Sequence, residues 1–348
     1  MVKVVLAPLL LISWVYGAVV WMRKKLYESG VLKTGKLPCQ VVSVGNLTLG
    51  GTGKTPMVIY LATELQKMGV RVGILTRGYQ GSRERTGGVV SDGERIHMTP
   101  AESGDEPFML ATLLKGIPLL VGKNRYEMGL LAHTRFGVDV MILDDGFQHV
   151  ALARDLDIVL IDTRKGFGNG YLFPRGPLRE PLIGLQRATC LVFTKSQASQ
   201  DMAEIEEIVR NVVPTVPAYH STYRPAYLVE GSSGKMSPPG VLRDKKVLAF
   251  AGIADPEYFA QLLDELGADL VDFICFPDHH AYALKDVSMM HRYVDKVDVF
   301  VTTHKDFVKL GPIVPHDFPL FVLGVTQEIL EAETFARGVL CKIARQCS

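Results

Sequence analysis

The sequence predicts an α/β protein: a parallel-sheet domain, a second and smaller α/β domain, and an apolar helix at the N-terminus. Three observations carry this. From residue 38 onward short apolar runs alternate with helical stretches, the pattern of βαβ crossovers that cover both faces of a parallel sheet. The rhythm breaks between residues 214 and 239 and then resumes. Residues 4–22 carry no charge and come close to the ~20 apolar residues that a bilayer-crossing helix needs.

At the N-terminus Lys3 precedes the uncharged run, and Arg23, Lys24 and Lys25 follow it. A cleaved signal peptide is disfavoured, because the core is long and no small-residue cleavage site follows. The remaining readings are a spanning helix, a very apolar helix buried on the main body, and a helix lying in the membrane interface. In the last, Trp14, Tyr16 and Trp21 sit at headgroup level and the basic cluster meets anionic lipid. The stronger positive cluster on the C-terminal side keeps the rest of the chain cytoplasmic.

In the first α/β series, residues 41–44, 70–75, 119–121, 138–143, 158–161 and 191–193 read as buried strands, and 57–68, 107–114 and 126–135 as helices. Residues 80–103 and 164–187 are long loops, the second rich in Gly and Pro, and such loops in a compact domain are usually functional or disordered. The extended, polar stretch after residue 218 reads as a hinge. The second series has strands at 247–251, 271–276, 297–302 and 319–325 and helices at 256–266 and 284–293. The expected division is therefore 1–25 (membrane-associating helix), 26–218 (core domain), 219–240 (hinge) and 241–348 (smaller domain).

Composition narrows the class of partner. Thirty-eight Lys plus Arg against 37 Asp plus Glu leave a net charge of +1, which argues against a protein that coats nucleic acid. The five cysteines are odd in number and form no C-x-x-C pair. That fits a reduced, cytoplasmic setting better than a disulfide framework or a zinc cluster. Nothing in the sequence calls for an obligatory protein partner.

The most informative stretch is the apolar run 41–44 leading through Thr48, Leu49, Gly50, Gly51, Thr52 and Gly53 to Lys54 and Thr55. A buried strand, a glycine-rich turn and a helix are the context a P-loop motif requires. The glycines let backbone N–H groups converge on phosphate oxygens, and the helix N-terminus adds partial positive charge. Lys54 can reach the β- and γ-phosphates, and Thr55 can offer its hydroxyl to Mg²⁺. Thr48 stands where the standard pattern has Gly. A second apolar strand ends in Asp144 and Asp145, placed as the acids that hold Mg²⁺ in P-loop proteins. The core domain is thus P-loop NTPase-like. Thr194-Lys195-Ser196-Gln197 lacks the Asp of a guanine-reading element, so ATP is the expected nucleotide.

The loop arginines Arg77, Arg125, Arg175 and Arg179 are candidates for a substrate phosphate or for the transferring group, since the guanidinium fork matches phosphate. Gln148 and His149 follow the metal acids and are candidates for the cleft lining. Asp105 precedes Glu106-Pro107 and an apolar run, so by local sequence it is a helix N-cap. His279 reads locally as a solvated loop histidine.

Several of these motifs together resemble the tetraacyldisaccharide 4′-kinase family. They are Gly45-Asn46-Leu47-Thr48 joined to the phosphate loop, Thr76-Arg77-Gly78-Tyr79, Gly104-Asp105-Glu106-Pro107 and Asp144-Asp145-Gly146-Phe147-Gln148-His149. Further on come Phe167-Gly168-Asn169-Gly170, Pro174-Arg175-Gly176-Pro177-Leu178-Arg179-Glu180, Ala251-Gly252-Ile253, Asp278-His279 and Lys305-Asp306. The resemblance implies transfer of the γ-phosphate of ATP, with Mg²⁺, to the 4′-hydroxyl of a tetraacylated glucosamine disaccharide 1-phosphate. It implies that this lipid A precursor is met at the cytoplasmic face of the inner membrane, and that two domains close on ATP about a hinge. It also implies that Asp105 acts as base in a catalytic pair with His279. The rival is a membrane-associated P-loop ATPase serving as a nucleotide switch for a protein partner.

Overall fold

The fold is seen in a computed structural model that describes residues 7–198 and 202–345. Lys3 and the start of the uncharged run lie outside the described residues. Both α/β series belong to one 13-stranded sheet. The first series supplies β1 (Gln40–Asn46), β2 (Val72–Thr76), β3 (Gly88–Ser91), β4 (Leu119–Val121), β5 (Val140–Asp144), β6 (Leu156–Asp162) and β7 (Cys190–Thr194). The segment expected to be a hinge is a 13-residue strand, β8 (Ala218–Glu230), followed by the short β9 (Met236–Ser237). The second series supplies β10 (Lys246–Ala251), β11 (Asp269–Cys275), β12 (Val299–Thr303) and β13 (Leu320–Ile329).

The order across the sheet is β11-β10-β12-β13-β8-β7-β6-β1-β5-β2-β4-β3. Neighbours are parallel except at β13–β8 and β4–β3, and where β9 pairs with β8. β8 joins the halves. Its first residues pair with β7, Leu191 opposite Ala218, and the rest runs antiparallel along β13.

The helices longer than one or two turns are α1 (Ala7–Glu28), α2 (Lys54–Lys67), α3 (Asp105–Leu113), α4 (Arg125–Phe136), α5 (Met202–Val212), α6 (Pro256–Glu265), α7 (Leu284–His291) and α8 (His304–Leu310). α2 buries Met57, Val58, Leu61, Ala62 and Leu65, a spacing that keeps one face against the sheet. These side chains join Val42, Val44, Ile142 and Ile158 in one core layer, while Val41, Met141 and Leu143 face a second layer. Strands buried on both faces explain the unbroken apolar runs in the sequence.

α1 lies along the Gly/Pro-rich loop. Ser13 Oγ donates to Leu172 O at 2.8 Å, Tyr16 Oη donates to Arg179 O at 2.8 Å, and Tyr16 meets Phe173 edge-on. Leu11, Ile12, Trp14, Val15, Val19, Trp21 and Met22 stay exposed. Among the described residues no helix is long and apolar enough to cross a membrane, which removes the spanning reading for the described part of α1.

Candidate active site

β1 sits between β5 and β6, and its C-terminal end opens into the phosphate loop. Register decides what lies beside it. Val44 pairs with Asp144 on β5, so the loop and the paired acids emerge side by side. Gly50 and Gly53 have φ of +103° and +86°, in the left-handed region that glycine enters without strain. Gly53 is the residue before α2, and Lys54 and Thr55 are its first two helical residues. The loop is held from outside by the Gly/Pro-rich segment. Leu49 N donates to Pro177 O and Arg179 N to Leu47 O, both at 2.7 Å.

Lys54 Nζ is 3.5 Å from Asp145 Oδ1 and donates to Asn46 Oδ1 at 3.2 Å. Arg179 Nη1 donates to both oxygens of Asp145, at 2.9 and 2.8 Å. Burial alone would raise the Asp145 pKa, but Lys54 and Arg179 outweigh it and hold the carboxyl at about 2. Asp145 has φ of +51°, a strained conformation for a non-glycine residue and one that recurs at functional sites. Asp144 is the opposite case. Burial, then Glu106 and Asp145, push it up to about 7. Its Oδ1 is buried without a hydrogen-bond partner among the described residues.

Among the described residues no cluster of three or more His, Cys, Asp or Glu side chains could hold a metal. Mg²⁺ does not require one, because it takes one or two carboxylates and completes its shell with phosphate oxygens and water. Thr55, Asp145 and the unpartnered oxygen of Asp144 fit that demand at the floor of the site.

Around this floor is a cavity of about 1150 Å³. Its lining includes the loop from Leu49 to Thr55, Arg77, Asp105, Arg125, Asp144, Asp145, Gln148, His149, Arg179 and His279. Two candidates fall outside the lining. Thr48 forms an isolated bridge with Leu178, and the Arg175 guanidinium lies 3.6 Å from the centre of the Tyr171 ring. Arg77 is paired with Glu84 at 2.6 Å. Arg125 is buried and donates to the carbonyls of Asp144 and Asp145, at 3.0 and 3.2 Å. Gln148 Nε2 donates to Asn46 O at 2.8 Å and Glu180 Oε1 at 3.0 Å. His149 is held to about 4 by burial and by nearby arginines, Arg125 first, so it is neutral at pH 7.

Asp105 is the first residue of α3, with Gly104 in the capping position, so it is not the N-cap that local sequence suggests. Its ion-pair partner is Lys309 at 3.9 Å. His279 stands on the facing loop with φ of +61°. No hydrogen bond or ion pair joins Asp105 to His279 among the described residues; Lys305 stands between their segments. Its Nζ is 2.9 Å from Glu106 Oε1, 3.0 Å from Asp278 Oδ1 and 3.4 Å from His279 Nε2.

Other lining residues were not singled out from sequence. Tyr223 on β8 packs against Gly53, where an added Cβ would fall 1.6 Å from the phenol oxygen. Buried Lys195 binds Asp162 at 2.6 Å and reaches across to Asp255 at 2.5 Å. The Lys305-Asp306 pair was the available signal for Lys305; Tyr223 had none.

The family model described as LpxK, tetraacyldisaccharide-1-P 4′-kinase, matches residues 5–344. The chain belongs to this family. The tetraacyldisaccharide 4′-kinase of Desulfatibacillum aliphaticivorans is 42% identical over 94% of this chain and 90% of its own length. That of Syntrophus aciditrophicus is 39% identical over the same shares. The crystal structure of the "apo" form of LpxK from Aquifex aeolicus in complex with ATP covers 99% of both chains, with a TM-score of 0.76 and 32% identity. The resemblance drawn from the motifs and the expected fold class are both borne out. As a tetraacyldisaccharide 4′-kinase family member the chain is a phosphotransferase of lipid A biosynthesis, and the nucleotide-switch alternative is not favoured.

Proposed function

We propose that this chain transfers the γ-phosphoryl group of ATP to the 4′-hydroxyl of a tetraacylated glucosamine disaccharide 1-phosphate in the cavity above the phosphate loop. The observation that carries the proposal is the meeting of Lys54 with Asp145 at 3.5 Å beside the unpartnered oxygen of Asp144, at the floor of that cavity. Loop N–H groups and Lys54 bind and orient the triphosphate. Thr55, Asp144 and Asp145 would hold Mg²⁺, which neutralises phosphate charge when bound. Arg179 and Lys54 fix the Asp145 carboxylate. Asp105 takes the proton of the 4′-hydroxyl as its oxygen bonds to the γ-phosphorus and the bond to the β-phosphate oxygen breaks, releasing ADP. His279 orients that carboxylate when the second series of strands closes over the nucleotide by bending at β8.

The acceptor's acyl chains remain in lipid, and the exposed apolar side chains of α1 support docking on the cytoplasmic face of the inner membrane. The test is turnover of γ-labelled ATP with a tetraacyldisaccharide 1-phosphate acceptor. Lys54→Ala should nearly abolish transfer, and Asp105→Ala should lower turnover far more than ATP affinity. Matching losses of turnover and ATP binding in Asp105→Ala would assign it a structural role. Removal of residues 1–25 should abolish sedimentation with liposomes.

A further inference from the structure

α8 carries Lys305 and Lys309 one helical turn apart, and α3 opens with Asp105 and Glu106. The two lysines meet the two acids, but the pairs are unequal. Lys305 has two acids, Glu106 at 2.9 Å and Asp278 at 3.0 Å. Lys309 has one, Asp105, at 3.9 Å.

The Lys309 side chain is 11% exposed. Its ammonium is sealed from solvent and has no hydrogen-bond partner among the described residues. Its other neighbour is the Tyr282 ring, whose centre lies 5.6 Å away, within reach of a cation–π attraction. Asp306, on the same helix, is already occupied: its oxygens take the Gly252 N–H and the Thr303 hydroxyl.

A buried ammonium whose donors are unspent is costly. A purely structural tie is better made by a hydrogen-bonded pair, as Lys305 makes, or by an apolar side chain. The Lys309 charge acts on one group alone. That group is Asp105, which lines the cavity and is the proposed base. The contact runs to Oδ2 of Asp105, and a shift of about 1 Å gives the ~2.8 Å of a charge-assisted hydrogen bond. We infer that Lys309 is a positioning residue for phosphoryl transfer: it holds Asp105 by Oδ2 and leaves Oδ1 for the acceptor hydroxyl. This rests on the reading of Asp105 as base. α8 belongs to the second series and α3 to the first, so the aim of the base follows the seating of one half on the other, where a misplacement of about 1 Å is enough to slow a reaction.

The test is steady-state turnover of γ-labelled ATP by the full chain, with a tetraacyldisaccharide 1-phosphate acceptor in detergent micelles, alongside urea unfolding. Lys309→Met should lower kcat roughly 10- to 100-fold, the worth of one charge-assisted hydrogen bond. KM for ATP and for the acceptor should each hold within about twofold. The urea midpoint should hold or rise, because an unpaired ammonium is gone from the interior. In an Asp105→Asn background, Lys309→Met should change kcat by less than about twofold, because the carboxylate it aims is absent. An unchanged kcat in Lys309→Met, or the same fall in both backgrounds, would overturn the positioning role. So would a rise in either KM as large as the fall in kcat. If Lys309→Met does not fold, Lys309→Gln, which keeps a donor and drops the charge, is read in the same way. Full kcat in Asp105→Asn fails the base reading, and the inference with it. A depressed kcat there beside wild-type turnover in Lys309→Met fails the inference alone. If Asp105→Asn is too slow for the cycle, the split between kcat and KM in Lys309→Met decides.

Discussion

Lys305→Met removes the cation that ties α3 to the Asp278–His279 loop across the cavity. Its side chain is 16% exposed, against 37% for Glu106 and 35% for Asp278. Burial disfavours the ammonium, but Glu106 and Asp278 outweigh it and raise the lysine pKa. A raised lysine pKa means that the stabilisation is complete below the ordinary value of ~10.4 and is lost as pH rises through the raised one. At neutral pH the full effect is present. Breaking a buried pair costs about 3–5 kcal/mol and an exposed one about 0.2–1 kcal/mol. A buried cation between two partly exposed acids lies between these limits, so Lys305→Met should cost about 1–3 kcal/mol. The assay is urea unfolding at pH 7.5, where the midpoint should fall at constant m-value. Turnover should fall as well, because His279 loses a neighbour 3.4 Å away. Adding Glu106→Gln should recover part of the stability by relieving repulsion from Asp278. A loss below about 0.5 kcal/mol with unchanged kcat would refute the reasoning, since surface pairs alone give that little.

Three further outcomes follow from the same geometry. Gly53→Ala forces a side chain into the left-handed region and against Tyr223; ATP affinity measured by calorimetry should fall about tenfold or more, the equivalent of ~1–2 kcal/mol of backbone strain. Lys195→Met leaves Asp162 and Asp255 facing each other and should cost about 3–5 kcal/mol in denaturant unfolding, the penalty for opening a buried pair. Burial holds His304 at about 4, so it stabilises the fold as a neutral group above its unfolded value of ~6.5, and that contribution is lost as pH falls toward 4. The Tm difference between wild type and His304→Gln should therefore shrink or reverse on going from pH 7.5 to pH 5.

The phosphate loop was legible because its chemistry is local: a strand, three glycines and a helix start are contiguous in sequence. Asp144 and Asp145 were legible as acids at a strand end, but only the Val44–Asp144 register brings them to the loop. The sequence of β8 reads as a hinge because its extended, polar residues and the Gly/Ser-rich stretch after them break the pattern. In the fold Pro225 lies opposite Val325, next to a register irregularity, where a strand tolerates proline. The arginines show the wider limit. Their type suggested phosphate, yet Arg125 and Arg179 are spent on groups 19 to 34 residues away, and no local pattern records which charges folding leaves free. The pairing of Lys305 with Glu106, from opposite sides of the cavity, is out of reach of the sequence for the same reason.

β8 gives the molecule a mechanical property that a loose tether would not. Since its pairing passes from β7 onto β13 with a single register irregularity, between Gly324 and Val325, the two halves cannot swing freely; rocking must twist a stiff ribbon that springs back. Tyr223 rides on that ribbon with its phenol against Gly53, so a nucleotide seating itself in the loop pushes directly on the spring.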